Sequence, residues 1–140
     1  LRKHLIKISM LCAAVLMAGC ETTGTKPADP NAVEAPSPKN PDFSAEMAKF
    51  DAQFPNAKAT KYENESIAFN NERKLDQKGN CHGKSKYPVT IVLVLDAEGK
   101  VTKTMTDVEN AKASCFRSAY AGVQFPRPPM APYRKAILLN

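Results

Sequence analysis

The chain has no apolar run long enough to cross a bilayer comfortably. Its longest, Ile8 to Ala18, is broken by Ser9, and a spanning helix needs about 20 residues. Histidine is nearly absent, with only His4 and His82. No glycine-rich phosphate loop, paired-carboxylate signature or internal repeat occurs, which removes the common grounds for a nucleotide site or acid–base catalysis. There is no Lys/Arg stripe interleaved with aromatics, which argues against nucleic acid as a partner. Cys81, His82 and Cys115 lack paired ligand spacing and a fourth ligand, so no metal is expected. Cys81-His82 invites a nucleophile and its base, but neighbours in an extended chain point apart, and Cys115 offers a disulfide partner that would consume the thiol. The expectation is a protein that is not an enzyme, with no cofactor and no small-molecule substrate.

What the chain does have begins with Arg2, Lys3 and Lys7, a positive region ahead of the apolar stretch, which closes on Leu16-Met17-Ala18-Gly19-Cys20. Small residues followed directly by cysteine resemble the bacterial lipobox, in which the thiol is acylated and the mature protein starts at that cysteine. Met17 departs from the usual leucine. The resemblance implies that residues 1–19 are a lipoprotein signal peptide and that Cys20 is the lipidation site, bearing diacylglycerol and palmitate-type chains. An ordinary cleaved signal and an uncleaved anchor are the alternatives. Leu1 in place of Met reads as a non-AUG start taken literally. Glu21 after the cysteine resembles the pattern of enterobacterial lipoproteins sent to the outer membrane, implying an envelope protein with a periplasmic domain.

Removing residues 1–19 lowers the formal charge from +6 to +3, so the basic balance belongs partly to the discarded segment. Of the four cysteines, Cys12 leaves with the signal and Cys20 carries lipid, leaving Cys81 and Cys115 as an even pair in an oxidising compartment. They are expected to form one structural disulfide, worth roughly 4 kcal/mol in the loop-entropy model.

Residues 20–42 read as the lipidated cysteine and a tether. Pro27, Pro30, Pro36, Pro38 and Pro41 stand among small polar residues with almost no large apolar side chain. At about 3.1 Å per residue such a segment reaches roughly 60–70 Å. The folded domain is expected over 43–140. Phe43, Met47, Phe50 and Phe54 recur at helical spacing, with Asp42 placed as a cap, Pro55 as a stop, and the stripe expected in the core. The stretch 57–80 is poorly patterned; a helix near 63–76, broken by Gly79-Asn80, is the expectation. Val89 to Leu95, a turn with Gly99, and Val101 to Val108 predict a hairpin. Its first strand, apolar on both faces, is the central one. Thr102, Thr104 and Thr106 mark a polar face on the second. Asn110 to Gln124 predicts a helix with Cys115, Phe116, Ala119, Tyr120 and Val123 on one stripe, ended by Phe125-Pro126-Arg127-Pro128-Pro129. Tyr133 to Leu139 predicts a last strand. The fold class is α+β, a small three-stranded antiparallel sheet with helices packed on one face.

This order of helix, hairpin with an Asp-x-x-Gly turn, cysteine-bearing helix, Pro-rich exit and final strand resembles the C-terminal domain of TolA and the related TonB C-terminal domains. The residues that carry the likeness are Val89 to Val101, Cys115 with Ala119, and Phe125 to Pro129, and it covers roughly residues 81–140. In TolA-like domains the first cysteine directly precedes the first strand, whereas Cys81 stands eight residues before Val89. TolA and TonB proper also carry an inner-membrane helix and a long spacer, neither of which is read here. The resemblance implies a protein-binding module that pairs partner segments along a sheet edge. The expected docking edge is Arg134, Lys135, Ala136, Ile137, Leu138 and Leu139, with the Thr face of 102–106 nearby. The expected partners are envelope proteins of the Tol-Pal type, alongside the membrane through the N-terminal lipid. The alternatives are a decoy or structural lipoprotein competing for TolA or TonB ligands, phage or bacteriocin proteins among them, and an anchored subunit of an envelope assembly.

Overall fold

A computed structural model describes residues 31–140, so the expected signal segment, residues 1–19, and the expected lipidation site Cys20 lie outside the described residues. Helix α1 runs Phe43–Asp51 and α2 runs Ala57–Glu72. Two short 3-10 segments follow at Leu75–Asn80 and His82–Lys84. Then come β1 (Val89–Leu95), β2 (Val101–Thr106), α3 (Ala111–Tyr120) and β3 (Tyr133–Leu139). The three strands form one antiparallel sheet in the order β2-β1-β3, which is the α+β class with β1 central.

The sheet is held by the alternation of its central strand. Ile91, Leu93 and Leu95 point to the face carrying α2 and α3, where they join Ala59, Tyr62, Phe116, Tyr120, Tyr133 and Leu139 in the main core cluster. Val92 alternates to the other face and is also fully buried. That double burial explains why β1 reads as a continuous apolar run. At the hairpin, the Asp96 carboxylate accepts the main-chain N–H groups of Glu98 and Lys100. Gly99 sits at φ +89°, where a Cβ would collide with the carbonyls of Phe125 and Pro126.

Helix α2 is longer and starts earlier than the expected 63–76. Asn56 caps it by accepting from Lys58 N–H at 2.9 Å, and the chain leaves it through Lys74 at φ 49°. Its buried stripe is Ala59, Tyr62, Glu63, Ser66 and Asn70, spaced as one helical face but largely polar. Helix α1 matches its expected start, but Asp42 makes no side-chain cap. Phe43, Met47, Phe50 and Phe54 are half-buried and stand outside the main core cluster, while Glu46 and Gln53 are the buried residues of that segment. Helix α3 is capped by Asn110, which accepts from Ala113 N–H at 2.7 Å. It ends at Tyr120 because Gly122 turns the chain at φ 71°, four residues before the proline cluster expected to stop it.

The packed unit begins at Val33, ten residues before Phe43. Part of the expected tether is therefore held against the domain, through side-chain and main-chain bonds from Glu34, Ser37, Pro38 and Asn40 that a reading based on apolar content misses. Cys81 and Cys115 form a disulfide with Cα atoms 5.4 Å apart, tying the 3-10 segments to α3. Replacing both cysteines with serine should lower the unfolding free energy by about 4 kcal/mol in urea titrations, since the bridge spans 34 residues of chain.

Candidate functional site

Strand β3 is an edge strand, and what lies along its outer side decides what it can do. It pairs with β1 in regular register from Val89 with Leu139 to Leu95 with Tyr133. Gln53, just beyond the end of α1, meets it at Arg134. The Gln53 side-chain amide donates to Arg134 O at 2.8 Å, and its oxygen accepts from Arg134 N–H at 2.7 Å. Both main-chain groups of Arg134 therefore face outward, and the alternation of an antiparallel ladder makes those of Ala136 and Leu138 do the same. The Gln53 carboxamide supplies the pair of bonds that one residue of an added strand would supply.

The inward side of β3 is fixed by an ion pair. Lys135 is fully buried, its ammonium 2.8 Å from Glu63 Oε1 on α2, and Glu63 Oε2 accepts the Tyr133 hydroxyl at 2.8 Å. Burial lowers the Lys135 pKa, opposed by the Glu63 charge. Burial also pushes the Tyr133 phenol up, and its bond to Glu63 adds to that shift. The Tyr62 ring meets that of Tyr133 edge-on at 4.7 Å, and the Tyr62 hydroxyl donates to Pro126 O. On the opposite face Arg134 reaches Glu46 at 3.0 Å, and Lys49 binds the same carboxylate. The Glu46 carboxyl is held below its usual range by hydrogen bonds from Lys49 and Arg134.

The six expected docking residues thus separate into different roles. Lys135 and Leu139 are buried, and Ile137 bonds inward to β1. Arg134 is engaged by α1, which leaves Ala136 and Leu138 as the outward positions. Leu138 is 61% exposed and Ile67 of α2 is 45% exposed. Between them runs a groove of about 180 Å³ that Asn70, Asn71 and Ile137 help to line. No charged side chain presents itself along Ala136 to Leu139.

The Thr face of β2 is not one surface. Thr102 is exposed, whereas Thr106 is fully buried and accepts from the Arg117 guanidinium at 2.6 Å. Both ends of β2 are also covered. Val101 exchanges bonds with Gly122 and Val123, and beyond Thr106 the chain pairs with residues 38–40. Gln53 is the contact on the β3 edge that sequence reading missed. An uncharged residue just past a helix gives no signal that its amide will close on a strand 81 positions away.

His82 lies beside α3 with its ring edge-on to Phe116 at 4.9 Å, and its Nδ1 stands 2.6 Å from Asn140 O. Cys81 is oxidised to the disulfide. Among the described residues no group of three or more His, Cys, Asp or Glu side chains is gathered to hold a metal ion, and no helix is long and apolar enough to cross a membrane.

Comparison with protein-family models, with curated proteins and with solved structures finds no match to this chain.

Glu63→Ala would strand the buried Lys135 ammonium and should cost about 3–5 kcal/mol of stability by chemical denaturation. The double replacement Glu63→Leu with Lys135→Met should recover most of that loss, because an apolar pair needs no compensating charge. The depressed Glu46 pKa gives a stability contribution that is full above the ordinary value of 4.5 and is lost as pH falls through the lower folded value. Glu46→Gln should flatten that part of the stability–pH curve.

Proposed function

We propose that this chain is a lipid-anchored recognition module of the bacterial cell envelope, exposed to the periplasm, which takes up an extended segment of a partner protein along β3. The observation that carries the reading is the Gln53 carboxamide at Arg134, which already makes the first amide pairing of an added strand. The next two outward positions, Ala136 and Leu138, continue that line beside an exposed apolar groove. Main-chain bonds give such an interaction its affinity, and the pocket beside the strand gives it selectivity.

The likeness to TolA and TonB C-terminal domains supports the same reading through the order of hairpin, cysteine-bearing helix, Pro-rich exit and last strand. It is a likeness of pattern, and Tol-Pal-type envelope proteins are the partner class it suggests. The lipobox-like run ending at Cys20 supports attachment by lipid, with sorting to the outer membrane suggested by Glu21. A module held this way binds without the transmembrane helix through which an energy transducer works.

The test has to spare the ladder between β1 and β3. A proline at Ile137 would remove a bond to β1, whereas Ala136→Pro removes an outward N–H and leaves the ladder intact. Leu138→Lys places a charge on the same edge by another route. Crosslinking in intact cells from a photoreactive residue at Ile67, which is exposed across the groove from Leu138, should recover envelope proteins, and both variants should reduce that recovery about tenfold while keeping the native circular dichroism, the loss expected when a central anchor of an interface is removed. Unchanged recovery in both folded variants would rule out the edge as the docking site. Cys20→Ser should move the folded protein from the membrane fraction to the soluble one, and its retention in membranes would rule out the lipid anchor.

A further inference from the structure

Residues 34–40 lie across the domain without belonging to any helix or named strand. At one end the Glu34 carboxylate accepts the Ser85 hydroxyl and, at 2.9 Å, the Lys86 N–H, while the Tyr87 hydroxyl donates to Glu34 O at 3.0 Å. In the middle Asn110 Nδ2 donates to Ser37 Oγ at 2.9 Å, and Glu109 N–H to Pro38 O at 2.8 Å. At the other end Lys39 forms an antiparallel bridge with Val108, and Asn40 N–H donates to Asp107 O at 2.8 Å.

Nothing apolar and large is buried along this segment, whose members are exposed or at most half-buried. Its attachment is polar throughout, and the Glu34 carboxylate is its charged anchor. Pro36 and Pro38 keep the chain extended in either state, so docking orders few torsions. The receiving turn is fixed independently, because the ammonium of the buried Lys112 donates to Tyr87 O at 3.2 Å. Contacts of this kind, solvated and without apolar burial, belong to the part of a fold that opens locally while the core stays closed.

We propose that residues 34–40 are a reversible strap latched by the Glu34 carboxylate, and that the groove it occupies along Ser85–Tyr87 and Asp107–Glu109 is a second binding surface, specific for an extended segment bearing a carboxylate side chain. The strap is the occupant supplied by the chain itself. A segment with the same chemistry competes with it, and release of the strap adds its length to the N-terminal lead. The Glu34 carboxyl is held below its ordinary range, chiefly by the Ser85 hydroxyl and the Lys86 N–H, with Lys86 and Lys112 charges adding to the effect. The docked strap is therefore favoured with Glu34 ionised, and acid opens it as pH falls through a value under 4.5. Asp107, which accepts the Thr90 N–H, and Glu109, paired with Arg117, border the same groove, so a Glu34 variant is needed to isolate the latch.

Amide hydrogen exchange on the full chain at pH 7 tests the proposal. In Glu34→Gln the Asn40 and Glu109 amides should exchange roughly tenfold faster than in the parent, the effect of losing a hydrogen bond to a charged group, while Val92 in the core keeps its parent rate. A synthetic peptide of residues 33–40, added in excess to this variant, should restore slow exchange at Glu109, and the same peptide carrying Glu34→Gln should not. Parent-like exchange at Asn40 and Glu109 would overturn the latch, as would equal acceleration at Val92, which would make Glu34 a support of the whole fold. Failure of both peptides would overturn the second binding surface while leaving the β3 edge untouched.

Discussion

The Glu63 carboxylate receives two inward groups of β3 at once, the Lys135 ammonium and the Tyr133 hydroxyl. Because Tyr133 and Lys135 are two apart, they share a face, and a slip of one residue would carry Lys135 to the opposite face and bring Arg134 into the core. The register of β3 against β1 is thereby tied to α2. That register also decides which main-chain groups point away from the sheet, so the outward set at Arg134, Ala136 and Leu138 follows from an interaction on the strand's other side. A pairing of this kind adds little net stability over an apolar substitute. Its value here is that it admits one alignment and penalises the neighbouring ones.

The same pair governs the character of the edge. Exposed edge strands are commonly blunted by lysine, whose charge resists an incoming strand. The lysine of β3 is turned inward and neutralised by Glu63, so the stretch Ala136 to Leu139 has no such guard. The sheet treats its two sides differently. Beside β2 the chain supplies its own cover from residues 122–124 and 38–40, whereas beside β3 it supplies a single side-chain amide.

How far the sequence could be read depended on whether burial was written in apolar residues. The hairpin, the central place of β1, the span of β3 and the disulfide were all legible, because Val89 to Leu95 carries its burial in side-chain type, because Ala136 to Leu139 is an aliphatic run, and because two cysteines remained to pair. Helix α2 was misplaced for the opposite reason. Its buried stripe includes Glu63, Ser66 and Asn70, satisfied by Lys135, by the main chain and by Tyr120, and such partners leave no hydrophobic period. The aromatic stripe of α1 misled in turn, since at the sheet's edge the polar Glu46 of α1, and Gln53 just beyond the helix, are the residues buried against Arg134. Of the candidate edge, the strand was legible but its parity was not, because parity is a property of the ladder.

The docked segment 34–40 also sets how far the domain can stray. With a lipid at Cys20, as proposed, the chain between anchor and domain is the 13 residues to Val33 instead of the 23 to Phe43. An extended lead of that length reaches about 40 Å. Effective concentration falls roughly as the −3/2 power of tether length, so the shorter lead confines the domain to about twofold higher local concentration near its membrane. On that proposal, the ten residues from Val33 to Asp42, folded back onto the domain, would make it a short-range probe of whatever lies at the bilayer surface.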